Sequence, residues 1–267
     1  MLQDDLLTAF DPARLAVALG IQPDPWQSEL LRGTGPTLLL TCRQAGKSTA
    51  GAILALHRAV YHPGSLVLLL SQSLRQSGEL FRKVTGFANK VEKDTAPVQA
   101  ESALRLELKN GSRIVSLPGS ETTVRGFSNV SLLIVDEAAR VDDALYYSIR
   151  PMLAVSGGRI VAMTTPWGRR GFFYNAWSEG GSDWQRLAVP ATKCSRISAD
   201  FLDSERRSMP ARWFRQEYET SFEDLADAAF GADLVAGLVD PDIPPLFGAA
   251  DEHLADVLPM PVAGGER

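Results

Sequence analysis

The sequence holds only two cysteines, Cys42 and Cys194, and three histidines, His57, His62 and His253, among 267 residues. That scarcity excludes a disulfide-stapled fold and a Cys/His zinc cluster, and it predicts a reducing compartment. No apolar run reaches 18 residues, so no segment reads as a transmembrane helix and no membrane partner is expected. The first residues, Met1-Leu2-Gln3-Asp4-Asp5, are acidic where an export signal is basic, which predicts a soluble protein that is not exported. Internal repeats are also missing. A net charge of −5 argues at first against a polyanionic partner. Its distribution matters more: residues 221–267 carry ten acidic groups and one basic, while residues 1–220 carry 26 basic and 22 acidic. A mildly basic body permits nucleic acid without demanding it.

With 45% hydrophobic residues, the chain has enough apolar material for one large domain. Thr37-Leu38-Leu39-Leu40 reads as a buried strand, followed by Thr41, Cys42, Arg43, Gln44, Ala45, Gly46, Lys47, Ser48 and Thr49, which run into an apolar helix over 47–61 ended by His62-Pro63-Gly64. A loop at such a junction points successive backbone N–H groups and a helix N-terminus at one spot, which suits a polyphosphate. Lys47 would meet the β- and γ-phosphates, the Ser48 hydroxyl would ligate Mg²⁺, and Gly46 would let the backbone approach closely. The first glycine of the usual G-x-x-x-x-G-K-[ST] pattern is missing, with Thr41 in its place. A Gly-Lys-Ser tripeptide can also be a helix-start glycine beside a surface lysine, but the strand before it and the apolar helix after it favour nucleotide binding.

Upstream, Trp26-Gln27 could present an amide to an adenine edge, or could simply be a capped helix start with a buried Trp. Downstream, Ser65–Ser71 is a second apolar run, residues 73–90 a helix, and residues 104–109 and 113–117 a hairpin around Asn110-Gly111. Residues 131–135 form a strand delivering Asp136 and Glu137, where Asp136 would hold Mg²⁺ through water and Glu137 would polarise the attacking water. The same pair of acids is compatible with an ordinary helix N-terminus. After a helix over 142–154, a strand over 159–166 ends in Thr164 and Thr165, with Thr165 placed to sense a γ-phosphate. Residues 167–174 read as a basic, flexible and aromatic segment, 184–189 as a strand, and 198–220 as two helices, the second opened by Pro210.

Together, Trp26-Gln27, Cys42-Arg43-Gln44-Ala45-Gly46-Lys47-Ser48, Val124-Arg125-Gly126, Ile134-Val135-Asp136-Glu137-Ala138 and Thr164-Thr165-Pro166 resemble the ATPase domain of the large terminase subunit of tailed bacteriophages, across residues 20–230. That family commonly lacks the first loop glycine and carries an arginine before the Gln. The resemblance implies an α/β P-loop NTPase of the RecA-like/ASCE type: a mostly parallel central sheet flanked by helices, a β-hairpin and a small C-terminal helical subdomain. Residues 1–197 would be the ATPase core, 198–237 a helical subdomain or linker, and 238–267 an acidic, Pro- and Gly-rich tail with poor order.

By resemblance, the protein hydrolyses ATP with Mg²⁺ to drive double-stranded DNA into a procapsid through the portal protein. Lys47 and Ser48 bind phosphate and Mg²⁺, Asp136 is the metal-side acid, and Glu137 is the catalytic base. Thr164 and Thr165 fall on the coupling motif. Arg125 is an arginine finger for a neighbouring subunit, with Arg43 as its rival in cis. Arg169 and Arg170 are either DNA contacts or two solvated arginines. Partners would include the small terminase subunit and further copies in a ring, a pentamer by family. The setting would be the cytoplasm of an infected bacterium, with transient docking on the procapsid. Family members usually continue into an RNase H-type nuclease domain, for which this sequence offers no scaffold. Nuclease activity is therefore not expected from it, and a separate nuclease polypeptide is one possible partner. Competing readings are another P-loop DNA translocase or helicase, and a nucleotide-binding packaging assembly factor that does not turn over.

Overall fold

A computed structural model describes residues 2–91, 95, 97–119 and 126–224, all of them in one compact unit spanning residues 1–225. The acidic tail and Arg125 lie outside the described residues. No helix among those described is long and apolar enough to cross a membrane.

The strands are β1 (Thr37–Thr41), β2 (Leu66–Ser71), β3 (Val98–Glu101), β4 (Arg105–Leu108), β5 (Arg113–Pro118), β6 (Val130–Asp136), β7 (Arg159–Thr164) and β8 (Gln185–Val189). They form one sheet in the order β3-β4-β5-β2-β6-β7-β1-β8. Every pairing from β5 to β8 is parallel, and only β3–β4 and β4–β5 are antiparallel. The expected hairpin is thus β4–β5, and it joins the central sheet through β5 beside β2. Asn110 at its turn donates to the Ala59 and Val60 carbonyls, tying the hairpin to the helix after the phosphate loop. The exposed edge strand β3 has no apolar alternation to announce it and was not anticipated.

The helices are α1 (Leu2–Phe10), α2 (Pro12–Ala18), α3 (Pro25–Arg32), α4 (Lys47–Tyr61), α5 (Leu74–Ala88), α6 (Asp143–Ile149), α7 (Gly171–Glu179), α8 (Ala199–Ser208) and α9 (Ala211–Tyr218). They cover both faces of the sheet, which explains why β1, β2 and β6 read as unbroken apolar runs. Leu39, Leu69, Ile134 and Met163 face α2, α3, α4 and α5. Leu38, Leu40, Leu68, Leu70, Val135 and Ala162 face α6 and α7 on the other side. Helix α4 lies so close to the sheet that a Cβ on Gly51 would meet Met163 Cε at 2.8 Å.

Two local expectations change. The helix predicted over 142–154 stops at Ile149 and tightens into a 3₁₀ turn over Arg150–Leu153, where Pro151 cannot donate to a continuing α-helix. The segment 167–174, read as flexible, enters α7 at Gly171, because Phe172 and Phe173 bury their rings, Phe172 stacking on Tyr146 at 3.7 Å.

Candidate functional site

Strands β1, β7 and β6 are neighbours in the sheet and end level with one another. Leu40 pairs with Thr164, and Met163 with Asp136. Their C-terminal ends therefore bring the loop 42–46, Thr164–Thr165 and Asp136–Glu137 to one edge, where open α/β sheets place ligands.

Within the loop, Gln44 has φ 60° and Gly46 φ 95°, after which α4 begins at Lys47. The backbone N–H groups of Cys42 and Arg43 are spent on the carbonyls of Val189 and Glu217, at 2.9 and 3.0 Å. Those of Gln44, Ala45, Gly46, Lys47 and Ser48 find no acceptor among the described residues. Five consecutive donors, a helix N-terminus and the Lys47 ammonium make a concentrated anion site.

The Lys47 ammonium lies 2.7 Å from Glu137 Oε1, and both side chains are largely buried. Glu137 itself sits in the left-handed region at φ 53°, a conformation that costs a non-glycine residue energy and clusters at functional sites. Ser48 Oγ donates to Asp136 Oδ2 at 3.1 Å, and the Glu137 N–H donates to Asp136 Oδ1 at 3.0 Å. Burial pushes the Asp136 carboxyl above its ordinary value, with Lys47 opposing and Glu137 adding to the rise. A divalent cation would offset that desolvation. The donor set, one carboxylate and one hydroxyl beside a phosphate site, fits Mg²⁺, which keeps several waters and takes few protein ligands.

Thr164 Oγ1 accepts the Ala139 N–H at 3.2 Å and donates to the Thr165 carbonyl at 2.8 Å, joining β7 to the turn after Glu137. Both threonines are buried. Gln27 and Trp26 are buried in the first turn of α3, where Gln27 Oε1 accepts from the Asp24 N–H at 2.9 Å in a capping box. The Gln27 amide nitrogen meanwhile lies 3.0 Å from where a Cβ on Gly46 would stand, so the capping residue also touches the loop. Arg43 reaches Glu217 Oε2 at 3.1 Å. Arg169 donates to the Phe222 carbonyl and faces Asp224 at 3.8 Å, while Arg170 is exposed at the start of α7.

Several contributors to the loop carried no sequence signal. Arg196 donates to the Ala45 carbonyl at 2.6 Å and pairs with Asp24 at 2.9 Å. Val189 and Glu217 accept from the loop, and Cys194 lies with its sulfur 3.6 Å from that of Cys42. Contact with that thiol, then burial, pushes Cys42 up, so it is not poised as a thiolate. All four residues come from the segment 189–217, which reads as a connector and two unremarkable helices.

Residues 38–234 match the family profile described as terminase large subunit, T4likevirus-type, N-terminal. No protein with a curated description shows significant sequence similarity. Among solved structures, the large terminase ATPase domain of Thermus phage P74-26 is 23% identical with a TM-score of 0.65, covering 78% of this chain and 96% of that one. The HK97 bacteriophage large terminase is 16% identical with a TM-score of 0.63, covering 76% of this chain and 51% of that one. A large terminase of a thermophilic bacteriophage, solved in complex with ADP, is 12% identical with a TM-score of 0.60, covering 75% and 54%. These likenesses establish a shared fold, and the chain spans about half the length of the latter two proteins.

Proposed function

Because this chain belongs to the terminase large-subunit family through its N-terminal, T4likevirus-type region, we propose that it is the ATP-hydrolysing motor that drives double-stranded viral DNA through a portal into a procapsid. The observation that carries this reading is the convergence of five unspent N–H groups, Lys47 and two carboxylates at the ends of β1, β7 and β6.

In this mechanism the loop N–H groups and Lys47 hold the β- and γ-phosphates of ATP, while Ser48 and Asp136 hold Mg²⁺. The cation, when bound, neutralises charge on the phosphate oxygens. Lys47 exchanges Glu137 for phosphate as ATP enters, which frees the Glu137 carboxylate to take a proton from the attacking water. Gln27 offers its amide nitrogen beside Gly46 to the base, while Trp26 stays buried in the core. The Thr164 bonds to Ala139 and Thr165 carry a shift at Glu137 into β7, the coupling role proposed for Thr164 and Thr165.

Arg125 would enter a neighbouring subunit's site in a ring, supplying positive charge to the transition state. Arg43 could do so in cis only after releasing Glu217. Arg169 and Arg170 would track DNA phosphates, with Arg169 first exchanging its partners. In this reading residues 1–197 form the ATPase core, and α8 and α9, which open the proposed segment 198–237, reach the phosphate loop through Glu217. The portal protein, the small terminase subunit and the host cytoplasm complete the proposed setting.

Steady-state ATPase of the purified chain, alone and with DNA and procapsids, tests the proposal. Turnover stimulated by the packaging components supports the motor. ATP binding without any turnover under every condition would leave an assembly factor instead, and a Glu137→Ala chain as active as wild type would remove the base assignment.

A further inference from the structure

The phosphate loop lacks the glycine that usually opens such loops, and its shape is held from outside by residues 189–217. The shortest of these holds is Arg196. Its guanidinium donates to the Ala45 carbonyl at 2.6 Å and pairs at 2.9 Å with Asp24 Oδ2. Ser195 Oγ donates to the other Asp24 oxygen at 2.9 Å, so the acid that steers Arg196 is itself steered. Asp24 also caps α3, the helix that presents Gln27 to Gly46.

A trans peptide points its C=O and N–H in opposite directions, and there are no cis peptides among the described residues. Drawing the Ala45 carbonyl toward Arg196 therefore turns the Gly46 N–H away from Arg196, and that N–H has no acceptor among the described residues. Gly46, at φ 95°, sits in a region where a peptide flip is cheap for glycine. Flipped, the same peptide would aim a carbonyl oxygen at an incoming phosphate and repel it.

We propose that Arg196 is a positioning residue for nucleotide binding: it fixes the orientation of the Ala45–Gly46 peptide so that an N–H, not a carbonyl, meets the phosphates. The proposal rests on the ATP-site reading above. Arg196 donates its hydrogen bond to the Ala45 carbonyl and holds Asp24 as an ion pair, so in this proposal it acts on the substrate through the loop. Its effect is the same before and during hydrolysis, so it raises KM when lost and leaves kcat alone.

The test measures Mg-ADP and a non-hydrolysable Mg-ATP analogue by calorimetry, and steady-state ATPase, on wild-type, R196A and R196K full chains. Losing one oriented hydrogen bond to a charged group corresponds to about tenfold or more in affinity. R196A should show that rise in both Kd values and in KM, with kcat within about twofold of wild type. R196K, which keeps a cationic donor for the Ala45 carbonyl, should recover part of the loss, and it carries the test if R196A does not fold. Unchanged Kd in both variants, or a fall in kcat at unchanged KM, would overturn the proposal while leaving the ATP site standing. A wild-type chain that binds no nucleotide would overturn the ATP-site reading and this inference with it.

Discussion

Replacing Glu137 by Gln separates the two roles proposed for one carboxylate. The Lys47 ammonium lies 2.7 Å from Glu137 Oε1. At that distance, with an effective dielectric of about 20, the gross attraction is about 6 kcal/mol. Desolvating both groups returns most of it, leaving a net of about 1 kcal/mol, the scale of a partly buried pair. ATP has to displace Glu137 from Lys47, so removing the charge should tighten binding of a non-hydrolysable analogue by about fivefold. The same change removes the proton acceptor, and kcat should fall by about 10²–10⁴-fold. Binding is read with a fluorescent nucleotide and turnover by phosphate release. An E137Q chain hydrolysing ATP at the wild-type rate would refute the base, and one binding the analogue more weakly than wild type would refute the competition for Lys47.

Gly46→Ala forces a β-carbon into the left-handed region at about 1–2 kcal/mol and places it 3.0 Å from the Gln27 amide and 3.2 Å from Arg196; nucleotide affinity should drop about tenfold or more in a titration, and normal affinity would show that the loop tolerates rearrangement. Thr164→Val strips the acceptor from the Ala139 N–H, a loss of about 1–3 kcal/mol that should lower Tm by about 2–4 °C per kcal/mol for a body of this size. His57 is buried, with its Nε2–H on the Thr8 carbonyl at 2.8 Å, and burial lowers its pKa, as it does that of His62 nearby. A depressed histidine pKa means the unfolded chain takes up protons that the folded chain refuses, so this stability is complete above about pH 6.5 and is lost as pH falls toward the folded value. Melting curves at pH 7.5 and 5.5 should show that loss in wild type and a smaller one in His57→Gln; equal slopes would exclude His57 as its source.

Local order along the chain was legible wherever a short stretch of residues carries its own physics. Helix α4 starts at Lys47 and ends at Tyr61 as read, because Gly46 and Pro63-Gly64 punctuate an apolar segment that neither extends. The uniform apolarity of β1, β2 and β6 announced strands buried on both faces, and Asn110-Gly111 announced the hairpin. Lys47, Ser48, Asp136 and Glu137 read as site candidates because strand ends and chemistry coincide within a few residues. Edge strand β3 and the burial of Phe172 and Phe173 depend on partners far along the chain, so local pattern said nothing of the first and mistook the second for a flexible segment.

The strands and helices, and the side chains they would carry to one sheet edge, can be read from neighbouring residues, since propensity, capping and apolar periodicity act over short stretches. That β7 lies between β1 and β6, that Lys47 rests on Glu137, and that Arg196, Val189 and Glu217 grip a loop some 150 residues away emerges from the assembled fold alone. Those contacts are single hydrogen bonds and ion pairs between distant segments, and they form only after the two apolar faces of the sheet have packed and brought the segments together.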